Sequence, residues 1–316
     1  MIKLWDSYTN GNCKDIINLF DGTKIRERES DDFDLDFPES LEIKITNKCN
    51  RNCYFCHENS NPLGKSFSPS ILSEKLLELP NYPIELAIGG GDILECKKEL
   101  EDFLDIMKQN KREFLYRFTF HYDDYMKEGR DYVKYLSDKF KYKFEVGVSI
   151  SNSSPIDYKL LLQDKVILHI IVGVFPILEL NNLVNYGNKV LVLGFKDFGR
   201  GRDRLPSSDI LSAWEKKIKN LLFEQRLKLI NSNFILGFDN LAFKQLNLRS
   251  CLLDEEYKKL YLGDDFTSSM YIDAVTGFYG PTSNTDYTER VSWESYSIIN
   301  FFKEYKNVNN CTSNRF

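Results

Sequence analysis

From residue 41 to residue 226 the sequence switches repeatedly between two hydrophobic periods, and that alternation limits the folds open to it. Short runs dense in Val, Ile, Leu and aromatic residues fall at 41–46, 84–88, 114–120, 144–150, 166–174 and 190–195. Between them lie stretches of helical spacing at 70–79, 97–108, 132–140, 158–163 and 177–186, with a longer one at 210–226. Parallel neighbours need a long connection, so six strand-helix units in succession predict a parallel sheet with right-handed crossovers. Strands this apolar suit a sheet covered on both faces. The expected fold is α/β, a partial (β/α)6 TIM-like barrel. Functional groups should then gather at the C-terminal ends of its strands.

The flanks read differently. Asn10-Gly11 and Asp21-Gly22 are hairpin turn pairs and mark a β-rich N-terminal extension over 1–40. The acidic run Asp31, Asp32, Asp34 and Asp36 suits a solvated loop. After residue 230 the alternation stops. Residues 234–238 read as a seventh strand, 270–274 and 277–279 as a hairpin, and 293–305 as a closing helix. The expected organisation is an extension over 1–40, a barrel over 41–230, and a small α+β C-terminal extension over 231–316.

A net charge of -5 gives no global reason to bind polyanions, although a local basic patch stays open. No run approaches the ~20 apolar residues of a membrane span. The opening residues Met1-Ile2-Lys3-Leu4-Trp5-Asp6 lack a signal-peptide pattern. The chain therefore reads as cytoplasmic, with no membrane partner. Its seven cysteines are odd in number and sparse, which argues against a disulfide framework; clustered thiols in a reducing compartment point to metal or catalysis.

Three of the seven are clustered. Cys49, Cys53 and Cys56 lie in Cys49-Asn50-Arg51-Asn52-Cys53-Tyr54-Phe55-Cys56, directly after the first predicted strand. Thiolates this close can wrap an iron–sulfur cube from one loop. Three ligands leave one iron open, as a catalytic metal site needs. Two other readings compete. The thiols share one helical face and could line a core stripe, although Asn47, Asn50 and Asn52 make a poor helix. His57 could complete a Cys3His zinc site, although side chains one residue apart diverge.

At these residues the chain resembles the radical S-adenosylmethionine superfamily, whose hallmark is CxxxCxφC on the loop after the first barrel strand, with an aromatic at φ. Phe55 stands at φ here. The resemblance implies a [4Fe-4S] cluster on Cys49, Cys53 and Cys56 whose open iron chelates S-adenosyl-L-methionine. One electron would cleave the sulfonium and release a 5′-deoxyadenosyl radical, which abstracts hydrogen from an unidentified substrate. The backbone at Phe55 would lie near the adenine. Gly90-Gly91-Asp92, after the second predicted strand, resembles the family's GGE-type motif, with Asp92 in place of Glu. Its backbone would receive the methionine amino group; glycines there allow close approach.

Further candidates lie at the other strand ends. Ser149, Ser151 and Asn152 stand where the family often binds ribose and carboxylate, and Gly173 could make room for adenine. Lys196, Arg200, Arg202 and Arg204 among glycines suit an anion, with Lys196 nearest its strand as a carboxylate partner. His121 faces the same side in this topology. His169, inside a strand, reads as a satisfied core histidine. The segment from Met270 to Pro281 resembles the hairpin of peptide-modifying members, yet Thr282 and Ser283 stand where a ligating cysteine is expected. Cys13, Cys96, Cys251 and Cys311 are scattered, so no auxiliary cluster is expected. The whole chain, including Asp21-Gly22-Thr23-Lys24, Cys56-His57-Glu58 and Gly237-Phe238-Asp239-Asn240-Leu241-Ala242, resembles phage- and prophage-encoded members.

The substrate class implied is a peptide or protein, or a nucleotide, with nucleic acid open. A flavodoxin or ferredoxin would supply electrons. A glycyl-radical activating enzyme and a non-catalytic zinc-stabilised interaction protein are the alternatives.

Overall fold

In the computed structural model, the structure describes residues 5–19, 23–28, 34–151, 155–261 and 263–313. The Asp21-Gly22 turn, Asp31, Asp32 and Asn152 fall outside these, as does the side chain of Cys311.

The N-terminal extension forms a three-stranded antiparallel sheet of β1 (Trp5–Asn10), β2 (Cys13–Asn18) and β3 (Lys24–Arg28). The Asn10-Gly11 turn joins β1 to β2. Asn10 is fully buried; its side chain accepts from the backbone N–H of Asp36 at 2.8 Å and donates to the Phe37 carbonyl at 2.9 Å. That side chain holds the chain where it leaves the small sheet for the large one.

Among the described residues the large sheet has ten strands. β4 (Ser40–Thr46), β5 (Glu85–Gly90), β6 (Leu115–His121), β7 (Phe144–Ile150), β8 (Ile167–Ile171), β9 (Lys189–Leu193) and β10 (Ile235–Phe238) pair in chain order, all parallel. The six expected strands and the seventh are all present. β11 (Ser269–Asp273) adds to the other side of β4 in parallel, and β12 (Phe278–Gly280) and β13 (Val291–Ser292) follow antiparallel. The C-terminal hairpin thus continues the same sheet.

Period-2 alternation sorts the strands into two faces. Leu86, Ile88, Phe118, Val148, Leu168, Ile170 and Val192 pack with Leu100, Phe103, Leu104 and Met107 of the helix Lys97–Gln109 and with residues of the other crossover helices. The opposite face is not the uniformly apolar surface expected from strand composition. Glu42, Lys44, Arg117, Thr119, Ser149 and His169 line a cavity there.

The closing helix starts at Ile298 rather than at 293. The Trp293 N–H donates to Gly277 O at 3.0 Å and its ring packs on Tyr279, which holds this stretch out of the helix. The Ile298 N–H donates to Glu78 Oε2 at 3.0 Å and fixes the true start. No helix among the described residues is long and apolar enough to cross a membrane.

Candidate active site

β4 ends at Thr46 and delivers the chain into the cysteine loop. The root of that loop leans on the end of β5. The Gly91 N–H donates to Thr46 O at 2.7 Å and the Asp92 N–H to Lys48 O at 2.8 Å. A Cβ on Gly91 would stand 2.2 Å from Lys48 O, and Gly90 holds φ +124°, so both positions require glycine. Asp92 does not line the cavity. Its carboxylate accepts from the Leu94 N–H at 3.0 Å and caps the following turn; burial pushes its pKa up to about 6, and Asp124 adds to the shift.

Two arginines tie the loop down. Arg51 grips Asp124 at 2.5 and 2.7 Å and Asp123 at 2.9 Å, at the end of β6. Arg200 donates to Cys53 O at 2.9 Å and Ser60 O at 2.7 Å, and its own N–H donates to Cys56 O at 2.9 Å. Arg200 was expected among the cations of an anion site. Its guanidinium instead clamps the backbone of the thiol loop and does not line the cavity.

Cys49, Cys53, Phe55, Cys56, Gly90 and Gly91 all face one cavity of about 510 Å³. Burial pushes the Cys49 and Cys53 thiols up, and the neighbouring thiols add to this. A single zinc at about 2.3 Å from each sulfur would need the sulfurs about 3.8 Å apart. Among the described residues no group of three or more His, Cys, Asp or Glu side chains is arranged to hold a metal ion. A cube takes each thiolate at a different corner, and three thiols lining one cavity suit that donor set. Cys13 and Cys96 are buried and Cys251 is half-buried.

His121 and Ser151 meet at 2.7 Å through His121 Nε2, while Nδ1 accepts from the Asp123 N–H at 3.3 Å. That bond makes Nδ1 the bare nitrogen and Nε2 the donor to Ser151. Ser149 pairs in register with His121 on one side and His169 on the other, and also lines the cavity. Gly173 does not. A Cβ there would meet Pro206 at 2.3 Å, so its missing side chain accommodates protein rather than an adenine. Lys196 lines the cavity with its ammonium engaged: it donates to Ser283 Oγ at 2.6 Å and lies 3.3 Å from His57 Nε2. Ser283 in turn donates to Glu42 Oε2 at 2.7 Å. The serine at the cysteine-less hairpin position therefore joins the C-terminal segment to β4.

His169 differs from expectation. It is buried, but Nε2 has no hydrogen-bond partner among the described residues, and the ring lines the cavity. The larger omission is a buried ionic network beneath the loop. Lys44 lies 2.7 Å from Glu58 and 3.1 Å from Asp273, which also holds Arg290 at 3.1 Å. Tyr271 donates to Glu58 at 2.9 Å. Burial opposes charge on Lys44, yet Glu58 and Asp273 outweigh it and raise its pKa. The one available signal was Glu42 and Lys44 alternating with Leu41, Ile43 and Ile45.

No protein-family model matches the chain, and no curated protein matches it. Solved structures do. Streptococcus suis SuiB bound to S-adenosylmethionine aligns with TM-score 0.65 at 12% identity, over 95% of this chain and 87% of that one. SuiB bound to precursor peptide SuiA aligns with TM-score 0.58 at 12% identity, over 85% of this chain, which spans 65% of that structure's length. Native anSMEcpe with bound AdoMet and Cp18Cys peptide aligns with TM-score 0.53 at 15% identity, over 79% of this chain and 76% of that one. At these identities the likeness establishes the fold: a mixed α/β architecture with a large parallel sheet, which this chain shares with proteins solved holding S-adenosylmethionine and peptides.

Proposed function

We propose that this chain is a radical S-adenosylmethionine enzyme of the partial-barrel type, acting on a peptide or protein substrate. The observation that carries the reading is the opening of three thiols and the glycine end of β5 into one cavity at the C-terminal ends of parallel strands. The solved neighbours that hold S-adenosylmethionine and peptides support it.

Cys49, Cys53 and Cys56 would hold a [4Fe-4S] cluster. When bound, that cluster supplies the electron that cleaves S-adenosylmethionine and yields a hydrogen-abstracting 5′-deoxyadenosyl group. The chain's own residues do the rest. Arg51 and Arg200 tie down the loop that carries the thiols, which lowers the cost of ordering it on loading. The N–H groups of Gly91 and Asp92 are used by the loop root, so a methionine amino group would donate to carbonyl oxygens at Gly90 and Gly91. Ser149 and Ser151 would meet the ribose hydroxyls or the carboxylate, with His121 orienting Ser151. Phe55 would face the adenine.

Anaerobic reconstitution followed by reduction with dithionite should release 5′-deoxyadenosine when S-adenosylmethionine is present. Cys53→Ala should abolish that release. Release that survives the loss of Cys53 would contradict the reading.

A further inference from the structure

The cavity walls are charged, and their cations are engaged. Lys44 contacts two carboxylates, Arg51 pairs with Asp123 and Asp124, and Arg117 pairs with Glu85 and Glu145, both at 2.7 Å. Lys196 is occupied by Ser283 and His57. Glu42 differs. It projects from the middle of β4, and its side chain is 51% exposed although the strand is interior to the sheet. Its Oε2 accepts from Ser283, whereas Oε1 lies 3.9 Å from Lys196, beyond hydrogen-bond reach.

A second, independent group lines the same cavity. His169 is 8% exposed, and its Nε2 has no partner among the described residues. The ring lies against Gly147, where a Cβ would come within 2.4 Å of Cε1, so the glycine sets the position of the imidazole. Burial, followed by the charge of Arg117, pushes its pKa down to about 4, so at neutral pH it is an uncharged acceptor. A buried nitrogen without a partner is costly unless a ligand supplies one. Ile171, Leu191 and Leu193 give the cavity an apolar wall.

We propose that the substrate inserts a cationic side chain, of lysine or arginine chemistry, with its stem on this apolar wall and its N–H groups donating to Glu42 Oε1 and to the His169 imidazole. The inference rests on the reading above and narrows its substrate. A phosphate or carboxylate entering here would meet the Glu42 carboxylate, with Lys44, Arg51 and Arg117 paired to other carboxylates and Lys196 donating to Ser283 and standing 3.9 Å from Glu42 itself. A cation finds the counter-charge that a desolvated ammonium or guanidinium needs, and long basic side chains bury their stems readily.

The test uses reconstituted holoenzyme saturated with S-adenosylmethionine, titrated in a calorimeter with acetyl-Ala-Lys-Ala-amide and its norleucine and glutamate counterparts. The lysine peptide should bind about tenfold or more tighter than the norleucine peptide, with the glutamate peptide weakest. Glu42→Gln should erase the lysine preference, and Glu42→Asp should keep part of it, while iron content and S-adenosylmethionine affinity hold. His169→Phe should weaken the lysine peptide more than the norleucine peptide. Equal affinity for the lysine and glutamate peptides, or a preference that survives Glu42→Gln, would overturn the proposal with the cluster and cosubstrate intact. Wild-type protein that binds neither iron nor S-adenosylmethionine would sink the underlying reading instead.

Discussion

The Lys44 ammonium lies 2.7 Å from Glu58 Oε2, tying β4 to the residue two places past the last cysteine of the loop. Both side chains are at least 95% buried, and Asp273 and Arg290 extend the pair into the C-terminal segment. Removing one member leaves an uncompensated charge in low dielectric, at a cost of about 3–5 kcal/mol. Glu58→Gln should therefore lower the denaturation midpoint strongly. Because Asp273 keeps Arg290, the double variant Lys44→Met/Glu58→Gln should cost less than the sum of the single variants. Guanidinium titrations of all four proteins read the coupling directly. Strict additivity would show that the pair contributes nothing.

Arg200 holds three points of the thiol loop through side chain and backbone. Arg200→Ala should remove two hydrogen bonds from a charged donor, each contributing about 1.5–3 kcal/mol. The expected result is a lower melting temperature and weaker retention of iron after gel filtration. Arg200→Lys, which cannot fork between two carbonyls, should recover only part of the loss.

Gly91→Ala would place a methyl group 2.2 Å from Lys48 O, a backbone atom with no rotamer to adjust. The loop root must shift, with an expected loss of about 1–3 kcal/mol. Iron uptake should fall while far-ultraviolet circular dichroism stays unchanged. Gly89→Ala, where the nearest atom lies 3.9 Å away, is the tolerated control.

Burial, with the charge of Arg117 adding to it, pushes the His169 imidazole down from the ordinary histidine value of 6.5 to about 4. Between these values the unfolded chain binds more protons than the folded one, so acid favours unfolding. The stability that His169 permits is fully present above about pH 6.5 and declines towards pH 4, with about 2 kcal/mol lost by pH 5. Asp92 shifts the opposite way and works with opposite sign over nearly the same range, so comparison with a variant is required. Melting curves of His169→Gln should fall less between pH 7 and pH 5 than those of the parent. An identical fall would show that the imidazole is not held neutral.

Strand order, helix spans and the seventh strand were legible because period 2 and period 3.6 alternate cleanly from β4 to the helix Ser208–Arg226. The thiol loop was legible from spacing alone. The inner face of the sheet was not. Glu42, Lys44 and Arg117 sit within apolar strands, where alternation looks the same whether the polar side meets solvent or an enclosed cavity. Ion pairs such as Lys44–Asp273, far apart in sequence, follow from β11 adding to β4, which no local signal encodes. Arg200 looked like an anion ligand because its charge is visible in sequence and its carbonyl partners are not. Gly173 looked like room for a ligand because a glycine does not reveal that Pro206 fills its space.

In the proposed enzyme, Cys49, Cys53 and Cys56 would hold a four-iron cluster with one iron left open. Electron paramagnetic resonance of the anaerobically reconstituted, reduced protein tests it most directly. The expected result is about four irons and four sulfides per chain and a cluster signal whose g values move when S-adenosylmethionine is added. A colourless protein that retains one zinc and no iron, or a cluster signal indifferent to S-adenosylmethionine, would contradict it.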